Sequence, residues 1–273
     1  MTCHKPKDYR FLPIGAPNRI WCISAIHGDF EKLAFLHDQL FPHVENGDRI
    51  LYHGNYIGFG PSSAETIDEL LTFRRAVMAD NPGMLASDII YLRGAQEEMW
   101  QKLMQLQFAP NPQEVLIWML GNGLSNTLYS YGIDPHDGME ACRQGMISIG
   151  QWTNHIKAAI KSRAAHETFM TQLFRAAYSE NYETSMLFVN AGLDARIALE
   201  EQGDNFWWAH KEFECIHSPY LFFKTVVRGY DPSHKGLNLT RVASTIDGGC
   251  GFGGSLVCAC FDEQAEILDV LEC

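Results

Sequence analysis

The stretch Ile20–Asp29, reading IWCISAIHGD, constrains the fold more than any other part of the chain. An apolar run, Ile20–Ile23, ends at a turn carrying His27 and Gly28, and a helix-period pattern starts at once: Phe30, Leu33, Leu36 and Leu40 fall on one face. That is a strand feeding a loop feeding a helix. In open α/β sheets, ligands collect at such carboxyl-terminal strand ends.

The same grammar recurs. Arg49–Tyr52 predicts a second strand, ending at His53-Gly54-Asn55. A helix follows Pro61, with Ser62 and Ser63 as expected N-caps and Ile67, Leu70, Leu71 and Val77 on its apolar face. Ile89–Leu92 predicts a third strand, ending at Arg93-Gly94-Ala95-Gln96-Glu97, and a helix through Leu106 follows. Consecutive βα units imply an α/β sheet. Residues 108–183 differ: strand patterns are few and a helix is expected from Gln151 to Tyr178, giving a helical insertion over one end of the sheet. Beyond it the chain turns β-rich. Strands are expected at 186–189, 222–227, 237–242, 244–247, 255–261 and 266–271, arranged as an antiparallel meander. With no repeat and no linker composition, residues 1–273 read as one domain.

A formal charge of −12 argues against nonspecific binding to nucleic acid or anionic membrane, both of which need a basic surface. No apolar run approaches the roughly 18 residues of a membrane span, and Met1–Pro6 lacks the apolar core of a secretory signal. The cysteines, Cys3 to Cys273, include no CxxC pair, so they read as reduced structural thiols of a cytoplasmic protein; Cys258 and Cys260 share one strand face. Phe206-Trp207-Trp208 reads as core or a lid, with a docking patch as the alternative.

Five strand-end loops stand in order: Ala25-Ile26-His27-Gly28; Gly54-Asn55-Tyr56-Ile57-Gly58-Phe59-Gly60-Pro61; Leu92–Glu97; Val189-Asn190-Ala191-Gly192-Leu193; and Val227-Arg228-Gly229-Tyr230-Asp231-Pro232. With the Gly-rich tail Ile246–Leu256, they resemble the calcineurin-like metallophosphoesterases over residues 19–262. The branch they resemble holds bacterial serine/threonine protein phosphatases and symmetrical diadenosine tetraphosphatases, marked by GDxHG, GDYxDRGP, LRGNHE, VHAGL and VHGHTP. The resemblance implies a four-layer α/β/β/α sandwich with a helical cap. It also implies hydrolysis by two divalent metals, such as manganese or an iron–zinc pair, which activate water.

The ligand positions implied by the resemblance are degenerate. Ala25 replaces an aspartate, Asn55 the bridging aspartate, Ala95 an asparagine, Gln96 the catalytic histidine and Asn190 a histidine; Arg228 and Tyr230 replace the last two histidines. Of these positions only His27 keeps its family residue. Gly58 and Phe59 replace an aspartate and a phosphate-binding arginine, whereas Arg93 matches the arginine of its motif. Alanine cannot ligate, and arginine does not lose its charge. At 4 Å and an effective dielectric near 20, each unit-charge pair between Arg228 and a dication costs roughly 4 kcal/mol. The expectation is therefore no metal cofactor, no catalytic residue and no family chemistry: a pseudophosphatase serving as a protein-interaction, regulatory or structural subunit of an unidentified assembly.

Two alternatives stand beside it. Arg93, Arg228 and His27 form a noncatalytic pocket for a phosphate, nucleotide or phosphopeptide, since guanidinium groups suit phosphate; or His27 holds one metal with Asp29 or Glu97 and residual phosphoesterase activity. The plainer reading of Arg93 and Arg228 is an ion pair with Glu97 or Asp231. Phe59 and Tyr230 would then plug the cleft.

Overall fold

The computed structural model describes residues 10–181 and 183–273. Cys3 and the Met1–Pro6 stretch lie outside the described residues. The chain begins with β1 (Phe11–Pro13) and β2 (Arg19–Ile23), then α1 (Phe30–Leu40), β3 (Arg49–Tyr52), α2 (Ser63–Asp80), β4 (Ile89–Tyr91) and α3 (Ala95–Leu103). α1 starts at Asp29, whose carboxylate accepts the Lys32 N–H. Helices α4 (Pro112–Met119), α5 (Ser125–Ser130), α6 (Pro135–Gln144), α7 (Met146–Ser162) and α8 (His166–Thr171) form the insertion. Then follow β5 (Ala176–Tyr178), β6 (Met186–Val189), α9 (Asn205–Trp208), α10 (His210–Phe213), β7 (Thr225–Arg228), β8 (Ala243–Thr245), β9 (Val257–Asp262) and β10 (Ile267–Glu272).

These strands make two five-stranded sheets, ordered β1-β5-β6-β7-β8 and β10-β9-β2-β3-β4. Strand period decides which residues face which layer. Cys22, Leu51 and Ile90 from one sheet meet Met186, Phe188 and Val227 from the other, in a core between the sheets. On the opposite face of the second sheet, Trp21, Ile23, Ile50 and Tyr52 pack against α1, α2, α3 and the insertion. On the opposite face of the first, Leu187, Val189 and Val226 pack against Phe206, Trp207 and Phe213 of α9 and α10. The order is helices, sheet, sheet, helices, the sandwich expected from the motifs.

The second half departs from the expected meander. β6, β7 and β8 run parallel, and the antiparallel pairs are β5–β6, β2–β9 and β9–β10. The α9–α10 segment carries the crossover from β6 to β7, as parallel pairing requires. Residues 237–242 form no strand; Asn238 makes only a single bridge to Thr245. The helix expected over 151–178 ends at Ser162, α8 restarts after Ala165 at φ 67°, and Ala176–Tyr178 is a strand. An alanine pair has helix propensity, but sheet burial overrides it. Ser62 sits at the N-cap of α2 without a side-chain cap bond, and the Ser63 hydroxyl instead accepts the Gly58 N–H.

Candidate functional site

The five loops meet at one end of the sandwich. The Ala25 N–H donates to the Gly229 carbonyl at 2.9 Å, and the Ile26 and His27 N–H groups both donate to the Asn55 carbonyl. The Gly229 and Tyr230 N–H groups share the Asn190 carbonyl. Two amides, at positions where the resemblance implies metal ligands, complete the ties. Asn190 Nδ2 donates to the His53 carbonyl at 2.7 Å, and its Oδ1 accepts the Ala95 N–H at 3.2 Å. Asn55 Oδ1 accepts the Gln96 N–H at 3.1 Å, while its Nδ2 is buried without a partner. His27 and Asn55 both hold positive φ, 55° and 56°. Non-glycine residues adopt that backbone at a cost, and such residues cluster at functional loops.

His27 is enclosed by rings. Its centroid lies 5.5 Å from Phe59, 5.1 Å from Tyr230 and 5.2 Å from Phe252, each edge-on. Phe252 also lies 4.5 Å from Phe59 and 4.2 Å from His234. The tail reaches this position because Gly251 has φ 85°, and a Cβ there would sit 2.4 Å from His27 Cβ. Phe59 and Tyr230 therefore fill space beside His27. Phe252 and His234 join them, which motif reading missed; an aromatic amid the glycines of 248–254 is the signal that was available.

Neither ring nitrogen of His27 has a hydrogen-bond partner, and burial, helped by nearby His234, lowers its pKa to about 3. Burial likewise lowers His53 to about 4, against the bond of its Nδ1 to the Ile23 carbonyl. Both folded values lie below the unfolded value. The stability they preserve is present above about pH 6.5 and is lost as pH falls toward the folded values. From these two residues, the unfolding free energy should drop by close to 2.7 kcal/mol per pH unit near pH 5, about 1.4 for each proton. His27→Leu should remove about half of that slope in urea titrations at pH 5 and 7.5. An unchanged slope would show that His27 takes up its proton in the folded state.

Gln96 and Gly58 fit each other. A Cβ at Gly58 would lie 2.9 Å from the Gln96 carboxamide carbon, so a side chain at 58 and this Gln96 conformer exclude one another. Gln96 Nε2 instead donates to the Asn122 carbonyl of the insertion at 2.9 Å.

The two arginines point elsewhere. Arg228 ion-pairs with Asp231 at 3.2 Å and lies 4.5 Å over the Phe213 ring. Arg93 ion-pairs with Glu98 at 3.2 Å, in place of Glu97. Arg93 lines a cavity with Trp100, Met104 and Ile160, and Arg228 lines another with Phe213 and Thr245. The structure thus brings together Ala25, His27, Asn55, Ala95, Gln96, Asn190 and Tyr230 at the loop cluster. It does not bring Arg93, Arg228 and His27 around one cavity. Glu97 is fully committed to backbone: its carboxylate accepts N–H groups from Asn55, Tyr56, Ile57 and Gly94. Burial pushes its pKa up, opposed by those four donors.

Two dications would need converging carboxylate and imidazole donors. The positions here offer one imidazole walled by rings, amides already bonded to backbone, a phenol and two methyl groups. These residues do not fit a dimetal centre. Among the described residues, no group of three or more His, Cys, Asp or Glu side chains is placed to hold a metal ion.

The arrangement of two sheets between helices matches a metallophosphoesterase sandwich fold. A crystal structure of a protein assigned as a diadenosine tetraphosphatase superposes with a TM-score of 0.54 at 17% identity, covering 96% of this chain and 97% of that one. A serine/threonine phosphatase from Saccharomyces cerevisiae aligns at TM-score 0.48 and 13% identity, over 91% of this chain and 76% of that one. A metallophosphoesterase from Sphaerobacter thermophilus aligns at TM-score 0.43 and 13% identity, over 93% and 87%. No family model matches the sequence, and no curated protein matches it. Among the described residues, no helix is long and apolar enough to cross a membrane.

Proposed function

We propose that this chain is a pseudophosphatase, a single metallophosphoesterase-fold domain that has exchanged metal-dependent hydrolysis for a regulatory or structural role with a protein partner. The observation that carries this reading is the environment of His27. The one family ligand that remains is held among Phe59, Tyr230 and Phe252 with neither nitrogen bonded. Asn55 and Asn190 support it, because each now spends its amide on joining loops that a metal pair would join. A surface suited to a partner is also present. Trp118 of α4 and Trp208 of α9 are 48% and 41% exposed, with ring centroids 5.8 Å apart, and they connect the helical insertion to the far sheet's helices. Tryptophan is enriched among the residues that carry binding energy at protein interfaces.

Elemental analysis of the purified chain, with a phosphomonoester assay in added manganese, tests the loss of chemistry. The expected result is substoichiometric metal and no turnover above background. Two equivalents of metal with turnover abolished by His27→Ala would overturn the reading.

A further inference from the structure

Helices α3, α7 and α8 each give a pair of side chains, one helical turn apart, to a common cavity of about 210 Å³. Trp100 and Met104 come from α3 and its C-cap, Lys157 and Ile160 from α7, and Glu167 and Met170 from α8. The cavity lies where the sandwich meets its helical insertion, and none of the rings around His27 lines it. Trp100 and Ile160 are buried, so part of the wall is apolar. The two methionines make that wall adaptable, and thioethers favour contact with aromatic rings. An apolar cavity of roughly 150 Å³ holds benzene. The space here therefore takes one ring with a few further atoms.

The polar groups of the wall differ in how far they are already committed. Glu97 accepts four backbone N–H groups and has little left to offer. Arg93 is paired with Glu98, but its side-chain hydrogen bonds, to Glu98 and Gln101, run from Nη1. Its Nε is buried with no partner. The Nε edge of this guanidinium, one that a carboxylate meets side-on, is thus unspent. Lys157 is half-buried, and among the described residues it has neither an ion pair nor a hydrogen bond. Glu167 reaches Lys161 at 3.3 Å, but both side chains are more than half exposed, and such pairs are weak. Lys157 stands one turn before Lys161 on α7, so an unspent cation lies about 5 Å along the helix from the cation that holds Glu167. The charges of the wall balance: Arg93 and Lys157 against Glu97 and Glu167. A polyanion gains nothing from such a wall, whereas a zwitterion finds a partner for each of its charges.

We propose that this cavity binds a free amino acid with an aromatic side chain. Its carboxylate would sit between the Nε edge of Arg93 and Lys157, its ammonium at Glu167, and its ring among Trp100, Met104, Ile160 and Met170. Occupancy would tie α3 to α7 and α8. The first turn of α3 carries Gln96 and Glu97, so the ligand would also steady the helix that joins the loop cluster. The site does not depend on whether the chain hydrolyses phosphoesters. The competing role for this space is a water-filled seam between helices, which predicts no ligand.

Thermal unfolding of the full chain with L-phenylalanine, 3-phenylpropionate and phenethylamine as probes, at constant ionic strength, is the test. L-Phenylalanine should raise Tm in a saturable manner, and each single-charge analogue should need a several-fold higher concentration. Lys157→Met removes a side chain without a partner, and Glu167→Gln loosens only an exposed pair, so the unliganded Tm of both variants should hold. Lys157→Met should raise the half-saturating concentration of phenylalanine and phenylpropionate by roughly fivefold and leave that of phenethylamine unchanged. Glu167→Gln should do the reverse, weakening phenylalanine and phenethylamine and sparing phenylpropionate. Lys235→Met, beside the separate β7–β8 cavity, should alter none of them. Absence of a saturable rise with phenylalanine, phenylpropionate binding as tightly as phenylalanine, or phenylalanine binding left unchanged by either wall variant would overturn the proposal.

Discussion

Glu97→Ala should destabilise the chain by about 3–5 kcal/mol, the largest loss expected from any substitution in the loop cluster. Its Oε2 accepts the Asn55 and Gly94 N–H groups, both at 2.8 Å, and its Oε1 accepts those of Tyr56 at 2.8 Å and Ile57 at 3.3 Å. Glu97 stands at the third position of α3, so its charge also faces the positive end of that helix. Alanine would leave four buried donors without acceptors and a void where the carboxylate lay. Glu97→Gln keeps the shape but points an N–H₂ group at N–H groups, so it should recover less than half of the loss. Urea denaturation at pH 7 measures both variants. A cost below about 1 kcal/mol for alanine would mean that water reaches these donors and that the carboxylate does not bind the loops together.

This residue also marks where the sequence was legible and where it was not. Glu97 was recognisable within its motif, but its partners were not, because a carboxylate six residues deep in a loop–helix junction can face a cation or a backbone nest equally well. The first half of the fold was readable because β2, β3 and β4 are apolar runs followed by clear helix periods. β1 and β5, at three residues each, carry too little period to separate strand from helix or coil. The direction of β7 and β8 depended on long-range pairing that local pattern does not encode. Within the site, motif order placed Ala25, Asn55, Ala95, Gln96, Asn190 and Tyr230 on meeting loops. The ring cluster needed Gly251 to bring Phe252 over His27, a tertiary closure with no local signature. Arg228 and Tyr230 are two residues apart, yet one lies over Phe213 and the other against His27. The chain leaves β7 between them, so strand alternation no longer holds them on one face.

Placing a carboxylate where the resemblance implies a bridging aspartate should not create a metal site, and Asn55→Asp is the sharpest measure of that. Asn55 is fully buried, with Oδ1 on the Gln96 N–H and Nδ2 unpartnered. Aspartate tolerates the φ of 56° and keeps the bond to Gln96. Two terms then compete. Losing an orphaned N–H₂ group is worth about 1–3 kcal/mol. Burying an unpaired carboxylate costs several kcal/mol, so the variant should lose about 2–4 kcal/mol at pH 7. That carboxyl would hold its proton more tightly folded than unfolded. The deficit should therefore be small below about pH 4, the unfolded carboxyl value, and grow as pH rises through the raised folded value. Added manganese should not recover the lost Tm, because Ala25, Ala95, Asn190 and Tyr230 supply no further charge to hold it. A saturable manganese-dependent rise in the Asn55→Asp variant, absent from the wild-type chain, would show that the loops still converge as a metal site. The proposed absence of metal-dependent hydrolysis would then rest on one missing carboxylate instead of on the rings around His27.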